Sequence, residues 1–362
     1  MSQNSTPVSK RRIVILTEGH TEPVPAKTAT CILRYRGDEA VAVFDREQAG
    51  KTAGELLGVG GDTPIIGDLA QAEGADTLLV GIAPPGGRAP AEWKPILLDA
   101  IARGMKIVSG LHDFLGDDPE LAEAAKKHGV EIHDVRKNNE RDVASRQGVR
   151  EDCLRVLTIG NDCSVGKMLT ALEITNAMKR RGADAKFVAT GQTGIMVEGD
   201  GVPIDCVVSD FLNGAVEKLV LGNQHHDTLI IEGQATITHP RYSCVSSGLV
   251  HGAMPHGMVL VYEMGRDTVM GMSPLQVPSL EDTIEAYERF AGLAMPSRVV
   301  AVAMNSRRFT DDEAQAERER VSERLGLPVA DPIRHGCDDL VDAIERLRGE
   351  VIPAAATATA TG

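Results

Sequence analysis

The sequence predicts an α/β protein of two parts, an N-terminal Rossmann-like parallel-sheet domain and a C-terminal P-loop NTPase-like α/β domain. Three observations carry that prediction. Short apolar, β-prone runs alternate with helix-length segments, the signature of parallel βαβ units with right-handed crossovers. At 362 residues the chain is long enough for two separate cores. Near its middle an apolar run, Val156 to Ile159, ends in Gly160, crosses a polar loop and enters Gly166-Lys167-Met168 and a helical pattern.

Residues 1–10 are polar, lack the apolar core of a signal peptide, and are expected to form a disordered tail. The Rossmann-like domain then spans 11–136. Its strands are predicted at Ile13–Leu16, Ala40–Phe44, Thr77–Val80, Lys106–Ser109 and Val130–Ile132, with helices over Trp93–Arg103 and Pro119–His128. Asp45 closes the second strand, where such folds often meet a ribose hydroxyl. The first turn, Thr17 to Pro23, carries no GxGxxG fingerprint, so Asp45 reads better as a turn residue. The loops Gly81–Arg88 and Gly110–Asp113 fall at strand C-termini, where open α/β sheets place ligands.

Residues 137–152 are charged and polar without an apolar face and are expected to be a linker. The second domain follows over 153–349. Its strands are predicted at Arg155–Ile159, Ala185–Val188, Thr228–Ile231, Met258–Val261 and Val299–Ala303. Helices are expected over 210–221, 280–293 and 311–325. A further helix opens after Lys167: Met168, Ala171, Leu172, Thr175 and Met178 share one face at helical spacing, and Gly182 stops it. Residues 350–362, rich in Ala and Thr, are expected to be a disordered tail.

The loop Gly160-Asn161-Asp162-Cys163-Ser164-Val165-Gly166-Lys167-Met168 is the candidate cofactor-binding stretch. Glycine lets the backbone curl so that amides point inward, the helix N-terminus adds positive partial charge, and Lys167 supplies a mobile full charge. The spacing is one residue longer than in the common loop, and in this it resembles the dethiobiotin synthetase branch. Met168 stands where a Ser or Thr hydroxyl would bind magnesium, and a thioether is a poor ligand for that hard cation. Holding a diphosphate is therefore favoured over breaking one. Cys163 has no recognisable base partner, so its small size accounts for it better than a nucleophilic role.

Glu232, in Ile231-Glu232-Gly233-Gln234, ends an apolar strand beside the phosphate loop, either as a catalytic or metal-holding carboxylate or as the partner that fixes Lys167. Gln192, between the glycines of Thr190-Gly191-Gln192-Thr193-Gly194, occupies a switch-like loop or an ordinary turn. His239 and His251 are candidate general bases, or loop histidines bonded to backbone. Their spacing fits no zinc pattern and no metal site is expected. Asn305 ends an apolar strand where related loops bind a base. Arg307 or Arg308, with Arg241 and Arg266 as rivals, are candidate clamps for an anionic group, or exposed surface arginines.

Composition excludes several classes. With 38 basic and 52 acidic side chains the net charge is −14, which disfavours nucleic-acid backbones and anionic membranes as partners. Aromatics make up 3%, too few for base-stacking platforms. Six scattered cysteines without a CxxC pair suit reduced thiols, and no apolar run reaches bilayer length. A soluble cytoplasmic protein is expected.

As a set, Lys27-Thr-Ala, Gly81-Ile-Ala-Pro-Pro-Gly-Gly87, Ser109-Gly-Leu-His-Asp-Phe-Leu115, Ile132-His-Asp-Val-Arg136, the loop Gly160 to Met168, Glu232-Gly-Gln234 and Leu249-Val-His-Gly252 resemble the DgcN-like family across nearly the whole chain. That family is associated with D-glutamate N-acetyltransferases. The resemblance implies transfer of an acetyl group from acetyl-CoA to the amine of a D-amino acid, with the loop cradling the CoA diphosphate. It further implies Glu232 or His239 as base, with Lys167 in the catalytic set, and one of Arg241, Arg266 and Arg307 gripping the substrate carboxylate; Gln192 and His251 are further candidate substrate contacts. The competing expectations are an ATP-dependent, magnesium-requiring ligase of the dethiobiotin synthetase kind and a non-catalytic nucleotide or CoA sensor. A homo-oligomer is expected for an enzyme of this size.

Overall fold

The computed structural model describes residues 10–84 and 86–352. Its strands and helices alternate as the apolar pattern requires. The N-terminal part runs β1 (Ile13–Leu16), α1 (Lys27–Tyr35), β2 (Ala40–Phe44), α2 (Ala53–Leu57), β3 (Ile65–Ile66), β4 (Thr77–Val80), α3 (Lys94–Ala102), β5 (Lys106–Ser109), α4 (Pro119–His128) and β6 (Ile132–Asp134). The C-terminal part runs β7 (Leu154–Gly160), α5 (Lys167–Arg180), β8 (Ala185–Val188), α6 (Gln192–Glu198), α7 (Ser209–Asn223), β9 (Thr228–Ile231) and α8 (Ser243–Ala253). It continues through β10 (Gly257–Glu263), α9 (Leu280–Gly292), β11 (Arg298–Asn305), α10 (Asp311–Leu325), β12 (Val329–Ala330) and α11 (Asp338–Val351). Two compact units result, Met1–Asn138 with Ile195–Gly199, and Asn139–Gly194 with Asp200–Gly362.

The first unit holds a six-stranded sheet in the order β3-β2-β1-β4-β5-β6, paired parallel throughout, which is the Rossmann order. Its core is aliphatic, with the buried Trp93 donating its indole N–H to the Glu18 carbonyl at 3.2 Å. Asp45 does the work of a turn residue: its carboxylate accepts from the Gly19 amide, the Thr21 hydroxyl and the Glu47 amide. The loops after β4 and β5 meet, since the His112 and Asp113 amides both donate to the Gly87 carbonyl.

The second unit holds a parallel sheet in the order β12-β11-β10-β7-β9-β8. Every residue of β7 and β10 is buried, as central parallel strands covered on both faces must be. Because all pairs are parallel, the C-terminal ends of β7, β9, β10 and β11 open on one edge. The strand order reverses between β7 and β10, and at that switch point the loop after β7 emerges.

Several expectations are corrected. Residues 139–152 form no helix or strand but lie along the second unit: the Ser145 and Arg146 amides donate to Glu217 of α7, each at 2.9 Å. The strand predicted at Val130–Ile132 is β6, Ile132–Asp134, and starts two residues later. The edge strands β3 and β12, two residues each, are too short to show a period. Thr190 to Gly194 is not a free switch-like loop, for α6 starts at Gln192. His251 lies on a helix, not a loop. The expected tail at 1–10 falls outside the described residues up to position 9. Of the expected tail at 350–362, positions 353–362 fall outside them, whereas α11 extends to Val351. No helix among the described residues is long and apolar enough to cross a membrane.

Candidate functional site

The site grows from the turn between β7 and α5. Gly166 sits at the N-cap of α5 with φ 118°, a conformation that favours glycine, and Ser164 enters the left-handed region with φ 54°. The first turn of α5 contains no acidic side chain, so its positive end is not neutralised from within the helix. Lys167 is buried, and its Nζ donates to the Asp162 carbonyl at 2.7 Å. A Cβ on Gly160 would stand 3.0 Å from that Nζ, so glycine leaves room for the ammonium inside the curl. Burial lowers the Lys167 pKa to about 8, against the opposing pull of Cys163 and Asp162.

Beside it, β9 delivers Glu232. Its Oε2 accepts the Thr190 and Gly191 amides, each at 3.0 Å, and not a lysine proton. The sequence alternative in which Glu232 serves to fix Lys167 therefore gives way to a backbone cradle. Burial raises the Glu232 pKa to about 7, partly offset by those two amides. Glycines make the room: a Cβ at Gly194 would lie 2.3 Å from Oε2 and one at Gly191 2.9 Å from Oε1, while one at Gly233 would lie 1.6 Å from the Thr158 carbonyl oxygen of β7. Substituting Gly233 with Ala should therefore cost about 3 kcal/mol or more through forced backbone displacement. Thermal unfolding of the purified variant checks this, and an unchanged melting transition would contradict it.

Asp162 is fully buried and fully engaged. Oδ2 accepts from Arg266 Nη1 at 3.0 Å and the Met270 amide at 2.8 Å, while Oδ1 accepts from the Cys163 amide at 2.7 Å. His239 Nε2 stands 3.7 Å from Oδ1. The other ring nitrogen, Nδ1, accepts the Arg241 amide at 3.1 Å, which leaves the proton of the neutral ring on Nε2. Burial keeps the ring below its ordinary pKa, reinforced by Arg241 and Lys167 and opposed by Asp162. Nε2 is buried with no hydrogen-bond partner, as is Asn161 Oδ1 in the loop. Asp162, Cys163 and His239 are near enough to hold a metal ion. A metal-bound histidine donates its second ring N–H, however, and here that position accepts. The geometry suits a hydrogen-bond donor better than a ligand.

At the end of β10, Glu263 gathers three arginines. Arg307 and Arg308 reach Oε1 at 3.0 and 2.7 Å, and Arg266 reaches Oε2. Burial pushes the Glu263 carboxyl up, yet the Arg308 hydrogen bond and the charges of Arg266 and Arg307 hold it below the usual range. Arg266 and Arg307, expected as substrate clamps, thus already meet protein carboxylates. Arg241 is exposed and forms no ion pair with a described carboxylate. Asn305, expected to read a base, spends its amide inside the protein: Nδ2 donates to the Val165 carbonyl at 3.1 Å and Oδ1 accepts the Arg307 amide at 3.4 Å.

The structure brings Asn161, Asp162, Cys163, Lys167, His239, Arg266 and Asn305 together around the loop, with Glu232 on the adjacent strand and Gln192 next to its cradle. Ser164 is exposed and Val165 buried, and Met168 is half-buried in the first turn of α5. His251 does not join them. It lies in the last turn of α8, which returns to the opposite edge of the sheet to start β10, and its ring stacks on Phe290 at 4.4 Å. Glu263 was missed as a site residue, although it carries the same signal as Glu232, an acid closing an apolar strand.

A family model described as a domain of unknown function, DUF1611_C, a P-loop domain, matches residues 141–341, more than half of the chain. A second, described as DUF1611_N, a Rossmann-like domain, matches residues 46–138. A D-glutamate N-acetyltransferase of Tritonibacter scottomollicae is 39% identical over 325 residues, covering 88% of this chain and 94% of the relative. One of a Pseudoalteromonas species is 40% identical over 269 residues, covering 74% and 81%. The crystal structure of a DUF1611 family protein from Anabaena variabilis superposes with a TM-score of 0.88 at 37% identity, over 93% of this chain and 99% of the other.

Proposed function

This chain belongs to the DUF1611 family, and we propose that it is an N-acetyltransferase moving an acetyl group from acetyl-CoA to the amine of a D-amino acid, D-glutamate foremost. One observation supports the donor above the others. The loop keeps the lysine and glycine that suit a diphosphate, while Met168 and the engaged oxygens of Asp162 leave it poorly equipped for magnesium. The orphaned Asn161 Oδ1 and His239 Nε2 fit a polar ligand that both accepts and donates hydrogen bonds.

In this reading Gly166, Lys167 and the first amides of α5 hold the diphosphate, and the donor supplies a thioester. Glu232, with a pKa of about 7, takes the proton from the substrate ammonium so that the amine can attack. As the C–S bond breaks, the CoA thiolate leaves and takes that proton back from Glu232, and the second nitrogen proton passes to solvent as the amide forms. His239 is read as a donor rather than the base: its Nδ1 accepts the Arg241 amide, which supports an Nε2–H that stabilises the oxyanion developing on the acetyl carbonyl. Arg241 grips the substrate carboxylate, and Gln192 lines the wall beside the base.

Calorimetric titration combined with turnover tests the proposal. The expected result is acetyl-CoA binding in the presence of EDTA, with N-acetyl-D-glutamate formed when D-glutamate is added. ATP binding that requires magnesium, with no response to acetyl-CoA, would favour the ligase. Tight acetyl-CoA binding without acetylation of any amine would leave a sensor.

A further inference from the structure

The arginines around Glu263 exceed what that carboxylate needs. Arg266, Arg307 and Arg308 face Glu263 and Asp162, three positive charges against two negative. Arg266 is nearly buried and links the two acids, so its charge belongs to the interior. The other two differ: the Arg307 side chain is 46% exposed and that of Arg308 62%, while Glu263 is 1% exposed. Arg307 places one N–H on Glu263 and Arg308 two. Each guanidinium carries five, so most of their donors meet no described side chain. Glu263 holds two mutually repelling cations side by side with their remaining donors turned to solvent, an arrangement that a doubly charged phosphate completes.

Position narrows the ligand. Arg266 bridges the loop and the fan, donating to Asp162 Oδ2 at 3.0 Å and to Glu263 Oε2 at 2.8 Å, so one guanidinium joins the two. Asn305 ties the start of the Arg307-Arg308 turn to the loop at Val165. A single ribose likewise joins a diphosphate on its 5′ carbon to a phosphate on its 3′ carbon, so one donor molecule can meet both the loop and the neighbouring fan. We propose that Arg307 and Arg308, gathered on Glu263, form a second anion site that takes the ribose 3′-phosphate of the acyl donor and so selects coenzyme A over its dephospho form. The proposal rests on the donor reading above and deepens it.

The test compares acetyl-CoA with acetyl-3′-dephospho-CoA by calorimetry. The native protein should bind acetyl-CoA about 10-fold more tightly, a figure reduced for solvent exposure of both arginines. In the Arg307→Ala/Arg308→Ala protein that preference should fall to about two-fold or less, with the affinity for the dephospho compound unchanged. Arg308→Gln, which can still donate to Glu263, guards against misfolding and should lose part of the preference. Equal binding of the two donors by the native protein overturns this site while leaving the donor reading intact. So does an unchanged preference in the double variant, or a raised KM for D-glutamate alone. Failure of the native protein to bind acetyl-CoA overturns both.

Discussion

Replacing Glu232 with Gln is expected to lower kcat by about 10²–10⁴-fold, the usual range for loss of a positioned general base. The amide is nearly isosteric, and its oxygen can still accept the Thr190 and Gly191 amides, so the cradle survives while the proton acceptor is lost. Acetyl-CoA affinity, measured by calorimetry, should stay within about two-fold, because Glu232 makes no bond to the loop lysine. The pH profile separates catalysis from structure. With a pKa raised to about 7 by burial, Glu232 is protonated and idle below that value and competent above it. Native kcat/KM should therefore fall as pH drops through about 7, and the Gln variant should lack that acid limb. A variant that keeps turnover, or keeps the limb, would remove Glu232 from the role.

Exchanging Lys167 for Met should weaken acetyl-CoA binding by about 10- to 150-fold, the equivalent of a charged hydrogen bond worth about 1.5–3 kcal/mol. The same exchange should not destabilise the ligand-free protein. Burial disfavours the ammonium and lowers its pKa from 10.5 to about 8, so the folded chain carries a penalty below pH 8 that disappears as pH rises towards 10.5. At neutral pH the Met variant should thus unfold at an equal or higher temperature than the native chain, and that advantage should shrink in alkali. Native affinity for acetyl-CoA should also decline above about pH 8 as the lysine loses its charge. Tight binding by the Met variant would mean that the diphosphate sits elsewhere.

Much of this chain could be read from local pattern. The alternation of apolar runs and helical segments gave both parallel sheets, and several strands, among them Ile13–Leu16, Ala185–Val188 and Thr228–Ile231, begin and end where predicted. The phosphate loop was legible because strand, Gly160, Gly166-Lys167 and helix are consecutive, and Glu232 because a carboxylate closing a buried run stands out. The two-residue strands were not, since nothing so short has a period. His251 was misplaced because its polar surroundings suggested a loop, whereas α8 carries it along the helix to the far edge of the sheet.

The sequence by itself therefore determined the architecture, the loop and its lysine, all of which depend on neighbours within one strand-turn-helix unit. Only the tertiary structure decided which arginines are held in the interior and which keep donors facing solvent. Arg266 finds Asp162 across 104 residues because β7 and β10 lie side by side in the sheet. The proton on His239 was likewise set by the Arg241 amide, through a fold of the chain that no residue pattern announces. Periodicity arises from contacts along the chain, whereas ion pairs and tautomers follow strand order, and strand order is fixed by packing the whole core.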